Sequence, residues 1–266
     1  MSKVSITKAN ENIKKSIEQN LDSLGGIKNF VKPGETVLLK PNFNTADPFP
    51  ASSDLEFIKA VIELIYEADA KIVMLAESST MSANTRKVMQ KLGVFELEKM
   101  KKPPRIYVLE EREWIKIPIP QGKYLKCVNI PEILQRPDKL ILLPCLKTHF
   151  QAKYTGALKL SVGLMKPIER ISLHMKNIQE KIAELNTVIQ PDLVIMDARK
   201  CFISGGPMSG DLKEPNMILS SKSRVNIDIE GIKIIQSFQN NSLKNIQAEK
   251  LPQIKHAIEL GIDQDK

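Results

Sequence analysis

Histidine occurs only three times in the 266 residues. Its scarcity makes each position informative, because imidazole changes charge near neutral pH and serves as acid, base or metal ligand. His149 follows a strongly apolar run, His174 lies at the edge of an apolar helical stripe, and His256 falls in a C-terminal helical stretch that reads as surface. Between the first two stands Lys159, set among Tyr154, Leu158, Leu160 and Val162. Apolar neighbours of this kind strip water from an ammonium group and lower its pKa, which suits an amine to nucleophilic or electrostatic work. A solvent-exposed helix lysine and a core-boundary histidine are the plainer readings of Lys159 and His174. The chemical reading requires that His149, Lys159 and His174 meet in one cavity.

Other polar residues cluster where apolar runs stop. Thr36 to Leu39 halts at Lys40-Pro41-Asn42, and Lys71 to Ala76 runs out into Glu77, Ser78, Ser79 and Thr80. Lys139 to Leu146 exits into Lys147, Thr148 and His149, and Leu193 to Met196 ends on Asp197. These runs read as strands buried on both faces. Helical patterns alternate with them: one opened by a Ser53/Glu56 capping box, one over Asn84 to Leu92, and a long one whose core face is Ile171, Met175, Ile178, Ile182, Leu185 and Ile189. Strand, helix, strand in this order specifies an α/β fold with a mostly parallel sheet flanked by helices. The expected organisation is a single domain over 1–266, with lobes at 1–100 and 139–266 joined by a Pro-rich crossover at 101–138 and a cleft at the carboxyl ends of the strands.

Ligands of open α/β sheets bind where those carboxyl ends converge. The rule nominates Lys40, Asn42, Ser78, Lys147 and Asp197 for substrate binding and His149, Lys159 and His174 for catalysis, the two histidines doubling as metal ligands. Any single polar exit is equally explained by reaching solvent; four together favour a site. Ser78 to Thr80 would hold an anion at a helix start or simply cap the helix. Ser204 to Gly210 is rich in glycine and would approach a ligand closely or form a plain surface loop; it lacks the GK[ST] of a phosphate loop.

The net charge of +8 raises nucleic acid as a partner. Lysines scattered over the whole length, 5% aromatic residues and no recognisable binding motif argue against it and for a locally basic pocket that takes a small anion. No apolar run approaches the roughly 20 residues that span a bilayer, so the expectation is a cytoplasmic protein without a membrane partner. Cys127, Cys145 and Cys201 are far apart, unlike the paired cysteines of zinc or iron–sulfur sites, and read as reduced structural thiols.

VLLKPN at Val37 to Asn42, AESS at Ala76 to Ser79, LKTHFQAKYTGALK at Leu146 to Lys159, the strand ending at Asp197 and GGPMSG together resemble the family catalogued as domain of unknown function 362. Members of that family are often fused to ferredoxin-like iron–sulfur modules; with no such cysteines here, the resemblance implies that any cluster belongs to a partner protein. A more distant similarity is to the nickel-pincer lactate racemases, whose histidine, small-residue turn and cofactor-anchoring lysine have the ten-residue separation of His149 and Lys159, with Thr155 and Gly156 in the turn. Lys153 and Ala157 stand where two of their glycines would be. The resemblances imply an enzyme acting on a small carboxylate-like anion, with a nickel-containing cofactor as one option. The competing class is a non-catalytic ligand- or metal-binding accessory protein working with an iron–sulfur partner.

Overall fold

The computed structural model describes residues 3–263. Strands β1 (Val4–Lys8), β2 (Thr36–Lys40), β3 (Ile72–Glu77) and β4 (Arg105–Val108) are separated by helices α1 (Ile13–Asp22), α2 (Leu55–Glu67) and α3 (Thr85–Lys91). A hairpin of β5 (Trp114–Pro118) and β6 (Cys127–Pro131) forms a small sheet of its own. Then come β7 (Lys139–Leu142), β8 (Cys145–His149), β9 (Lys153–Thr155), α4 (Ala157–Leu160), α5 (Glu169–Met175), α6 (Ile178–Leu185) and β10 (Leu193–Ser204). β11 (Asp211–Lys213), β12 (Met217–Ser221), α7 (Arg224–Gln236) and α8 (Pro252–Glu259) complete the chain.

The main sheet runs β1-β12-β10-β7-β2-β3-β4. It is parallel except at β12, which pairs antiparallel with both neighbours. Both predicted lobes contribute strands to this one sheet, and the 101–138 segment adds its edge strand β4. Successive residues of the strands point to opposite faces. Leu39, Leu75 and Ile195 therefore join a core beneath α1 and α2, whereas Leu38, Met74 and Met196 join a second core with α4, α6 and α7. Helices on both sides of a doubly buried sheet give the expected mostly parallel α/β fold.

Three local expectations change. The apolar run from Lys139 breaks at Pro144, which cannot continue the ladder, so Lys147 to His149 are not strand exits but part of β8. β8 leaves the line of β7 to pair with β10 beyond Met196 and with β9, and its Lys147 and His149 share one cavity with Lys40 and Glu77 from the ends of β2 and β3. The long helix divides at Asn177, whose φ of +54° is left-handed and stops helical hydrogen bonding. As a result Ile171 and Met175 are exposed, and α5 buries Arg170 and Leu173 instead. Third, α2 is capped by Asp54, while the Ser53 hydroxyl accepts the Asn42 N–H at 2.8 Å.

Candidate functional site

The ends of β2 and β3 meet in a buried ion pair. Lys40 Nζ donates to Glu77 Oε1 at 2.5 Å and to the Pro41 carbonyl at 2.7 Å. Glu77 also accepts the N–H groups of Phe43 and Ser78, both at 2.7 Å. A buried pair persists only with its remaining hydrogen-bonding capacity satisfied, and these backbone donors satisfy it. Burial lowers the Lys40 pKa while Glu77 holds it up. The segment after α4 passes close over the pair: a Cβ on Gly163 would stand 2.8 Å from Lys40 Nζ, so any larger residue there would have to displace the lysine from its ion pair.

Arg170 of α5 ties the surrounding loops together. Its guanidinium donates to the carbonyls of Ser79 (2.6 Å), Met165 (2.7 Å) and Ser78 (3.2 Å) and to the Ser78 hydroxyl (2.6 Å). That hydroxyl in turn donates to Glu110 at 2.9 Å. Ser78, expected to bind substrate, is thus engaged from both sides and works as a framework link. Burial brings the Arg170 pKa down to about 10.

Asp197 needs a larger correction. It lies inside β10, not at a strand end, and its two oxygens accept from Arg199 at 2.9 and 2.7 Å. Arg199 also reaches Asp54 at 2.5 Å and packs between the rings of Phe49 and Phe57. Asp197 does not line the cavity that the other nominated residues share, and its carboxylate is held by Arg199. His256 is not a free surface residue either, since its Nε2 is 3.3 Å from the buried Glu184.

That cavity, about 380 Å³, opens at the carboxyl edge of the sheet. Lys40, Asn42, Ser78, Lys147, His149, Lys159 and His174 all line it, joined by Thr155 and Arg170, which sequence reasoning passed over as binding groups. The TGALK block delivers Lys159 by a specific device. Asp228 of α7, fully buried, accepts the N–H groups of Ala157 (2.7 Å) and Leu158 (3.0 Å), so α4 starts on a carboxylate. A Cβ on Gly156 would sit 2.1 Å from that carboxylate, which explains the glycine. Lys159 keeps part of its surface open to the cavity it lines and has no hydrogen-bond or ion-pair partner among the described residues. Burial, then the charges of Lys147 and Arg170, push its pKa down to about 7. Burial likewise brings Lys147, whose ammonium donates to the Ala51 carbonyl, to about 8.

The two histidines are fixed in opposite tautomers. His149 Nδ1 accepts the N–H groups of Gln151 (3.1 Å) and Ala152 (3.2 Å), so the neutral ring carries its proton on Nε2. Burial first, then the electrostatic influence of the neighbouring Lys159, His174 and Lys147, pushes its pKa down to about 2. His174 Nδ1 lies 2.6 Å from the Arg170 carbonyl, which can only accept; the proton sits on Nδ1 and the lone pair on Nε2. Burial also lowers the His174 pKa. Gln151 joins the two by donating to the His174 carbonyl at 2.5 Å.

A mostly parallel α/β sheet with a lysine- and histidine-lined cavity at its carboxyl edge is the class of protein that these observations define. Among solved structures it is similar to the lactate racemase apoprotein of Thermoanaerobacterium thermosaccharolyticum, at 12% identity and a TM-score of 0.51 over 88% of this chain. A Thermotoga maritima protein aligns over 92% of this chain at 9% identity and a TM-score of 0.43. The chain spans only 56% and 59% of those two proteins, respectively. The chain belongs to the family described as Domain of unknown function (DUF362), whose model matches residues 37–233. A thylakoid-associated protein of Synechocystis sp. is 29% identical over 239 residues, 83% of this chain and 69% of the relative. Among the described residues no helix is long and apolar enough to cross a membrane.

Proposed function

We propose that the chain is an enzyme that binds a small carboxylate-like anion in this cavity and moves a proton on it. The observation that carries the reading is a lysine left without a partner in a cavity that it shares with other basic groups. Lys159 has no hydrogen-bond or ion-pair partner among the described residues and keeps part of its surface open to the space that Lys147, His149, Arg170 and His174 also line. A largely buried ammonium is normally paired, so one that faces a cavity calls for an anion.

The roles follow from charge and tautomer. Lys159 and Lys147 neutralise the anion. His174, neutral with its Nε2 lone pair available, is the proton acceptor. His149, neutral with its proton on Nε2, donates a hydrogen bond to an oxygen on which negative charge develops, a use of imidazole that needs a strongly depressed pKa. A metal ion held by side chains alone does not fit, because among the described residues no three of His, Cys, Asp and Glu lie together. A metal carried by an organic cofactor would draw only on His174 Nε2 and Lys159, where it would supply redox or Lewis-acid chemistry; His149 in its present tautomer has no lone pair to offer it.

Thermal unfolding with a panel of small anions tests the binding. A saturating carboxylate or phosphate at about 100 times its dissociation constant stabilises by roughly 2.7 kcal/mol, or roughly 5–10 °C in melting temperature for a chain of this size. Sodium chloride at equal ionic strength should give far less. If no anion exceeds the salt control while single-stranded RNA stabilises in a salt-sensitive way, an RNA-binding role replaces this one.

A further inference from the structure

The helix that supplies Arg170 and His174 is built inside out. α5 buries a guanidinium and shows solvent an apolar stripe: Ile171 is 46% and Met175 74% exposed, and Ile168 just before the helix is 64% exposed. Spacings of three and four put these residues on one side of the helix, with Ile171 one turn from His174. Across the mouth, Met81, Phe150 and Met208 are 47%, 71% and 50% exposed and line the cavity themselves. The Phe150 ring stacks on His149 with centroids 4.9 Å apart. Single exposed apolar residues need no explanation, but apolar residues gathered around one polar opening do.

Inside the cavity, Leu160 and Val162 continue the apolar wall toward the lysines. Apolar side chains thus line the cavity both at its exposed residues and beside its lysines, alongside the polar Asn44, Thr45, Thr80 and Ser82. The volume points the same way: about 380 Å³ falls within the range of roughly 300–1,000 Å³ typical of drug-sized ligands, far more than a carboxylate of two or three carbons fills. We infer that the ligand is an anionic amphiphile, with a carboxylate or phosphate head among Lys147, Lys159, His149 and Thr155 and an apolar chain leaving between Phe150, Met208 and Met81 toward the α5 stripe. The inference rests on the anion-binding reading above and names its substrate class. A protein partner or a membrane surface would also cover apolar residues, but neither accounts for the unpaired Lys159 in a cavity that Met81, Phe150 and Met208 line.

Calorimetric titration of the full chain with monomeric straight-chain carboxylates and alkyl phosphates of two to twelve carbons, all below their micelle concentrations, tests it. Affinity should tighten by up to about fourfold for each methylene buried and then level off when the chain leaves the rim. Uncharged alcohols of equal length should bind at least tenfold more weakly. Ile171→Gln and Met175→Gln, both at exposed positions, should weaken the twelve-carbon probe several-fold. Short anions that bind with no gain from chain length would overturn the amphiphile and leave the anion site standing; no binding by any probe would overturn both. Cosedimentation with phosphatidylglycerol vesicles without saturable binding of the monomeric probes would overturn it in favour of a membrane-facing surface.

Discussion

Replacing Lys159 by methionine is expected to stabilise the ligand-free protein and to abolish anion binding. Lys159 has a folded-state pKa of about 7 against an ordinary 10.5. Between those values the unfolded chain holds a proton that the folded chain lacks, so wild-type stability rises with pH across that interval and the full cost of the buried charge is felt below pH 7. Methionine removes the cost. The gain should be greatest at pH 6 and vanish above about pH 10.5. Allowing for the part of the side chain open to solvent, it is on the order of 2 kcal/mol, or roughly 5 °C in melting temperature. Anion affinity should fall at least about a hundredfold in the same variant, because a desolvated charge pair contributes several kcal/mol to binding. Function set against stability is the mark of a site residue. A variant less stable than wild type at pH 6 that still binds anions would show that Lys159 is a structural residue.

Arg170→Met should act in the opposite sense. The guanidinium satisfies the carbonyls of Ser78, Ser79 and Met165 and braces the Ser78 hydroxyl, all in a buried setting. Methionine fills a similar volume but donates nothing, leaving several buried acceptors unsatisfied at about 1–3 kcal/mol each before relaxation. A loss of about 3–5 kcal/mol in denaturant unfolding is expected, the range seen when one partner of a buried polar network is removed. Ser78→Ala, which deletes the hydroxyl that links Arg170 to Glu110 but leaves the carbonyl contacts of Arg170 in place, should cost less, about 1–2 kcal/mol. Near-identical midpoints for Arg170→Met and wild type would mean that the loops around the cavity hold their shape without Arg170.

The sheet was legible because strands buried on both faces write themselves as continuous apolar runs, and those at Thr36, Lys71 and Leu193 all lie in the main sheet. Pro144 was visible too, but a proline says that a strand breaks without saying where the chain turns next. The departure of β8 to pair with β10 beyond Met196 is a tertiary event. Arg170 escaped notice because the stripe Ile171, Met175, Ile178 matches a continuous helix better than the true pair of helices. The extended Lys176 and the left-handed Asn177 break that match, and neither lysine nor asparagine announces such a conformation in sequence. Among the cavity residues, the histidines stood out by their scarcity, Lys159 by its apolar neighbours, and Lys40 and Lys147 by their places beside apolar runs. Asp197 was chosen by the same rule and misplaced, because β10 runs on to Ser204 and its second half contains Arg199 and Lys200, which disguise a strand. The histidine tautomers depend on which backbone groups face each ring, and sequence spacing does not carry that information.

The lysines of the proposed anion site lose their charge near neutrality. The most direct measurement is the dissociation constant of one carboxylate, fully ionised throughout, between pH 6 and pH 9. Lys159 at about 7 and Lys147 at about 8 must be protonated to attract it. Binding should be level below pH 7 and weaken as pH rises beyond it, by about a hundredfold at pH 9 if Lys159 alone is required and about a thousandfold if both are. His149 and His174, both with pKa values below the ordinary imidazole value, contribute little to the slope over that range. An affinity unchanged from pH 6 to pH 9, as ordinary surface lysines titrating near 10.5 would produce, would contradict the account.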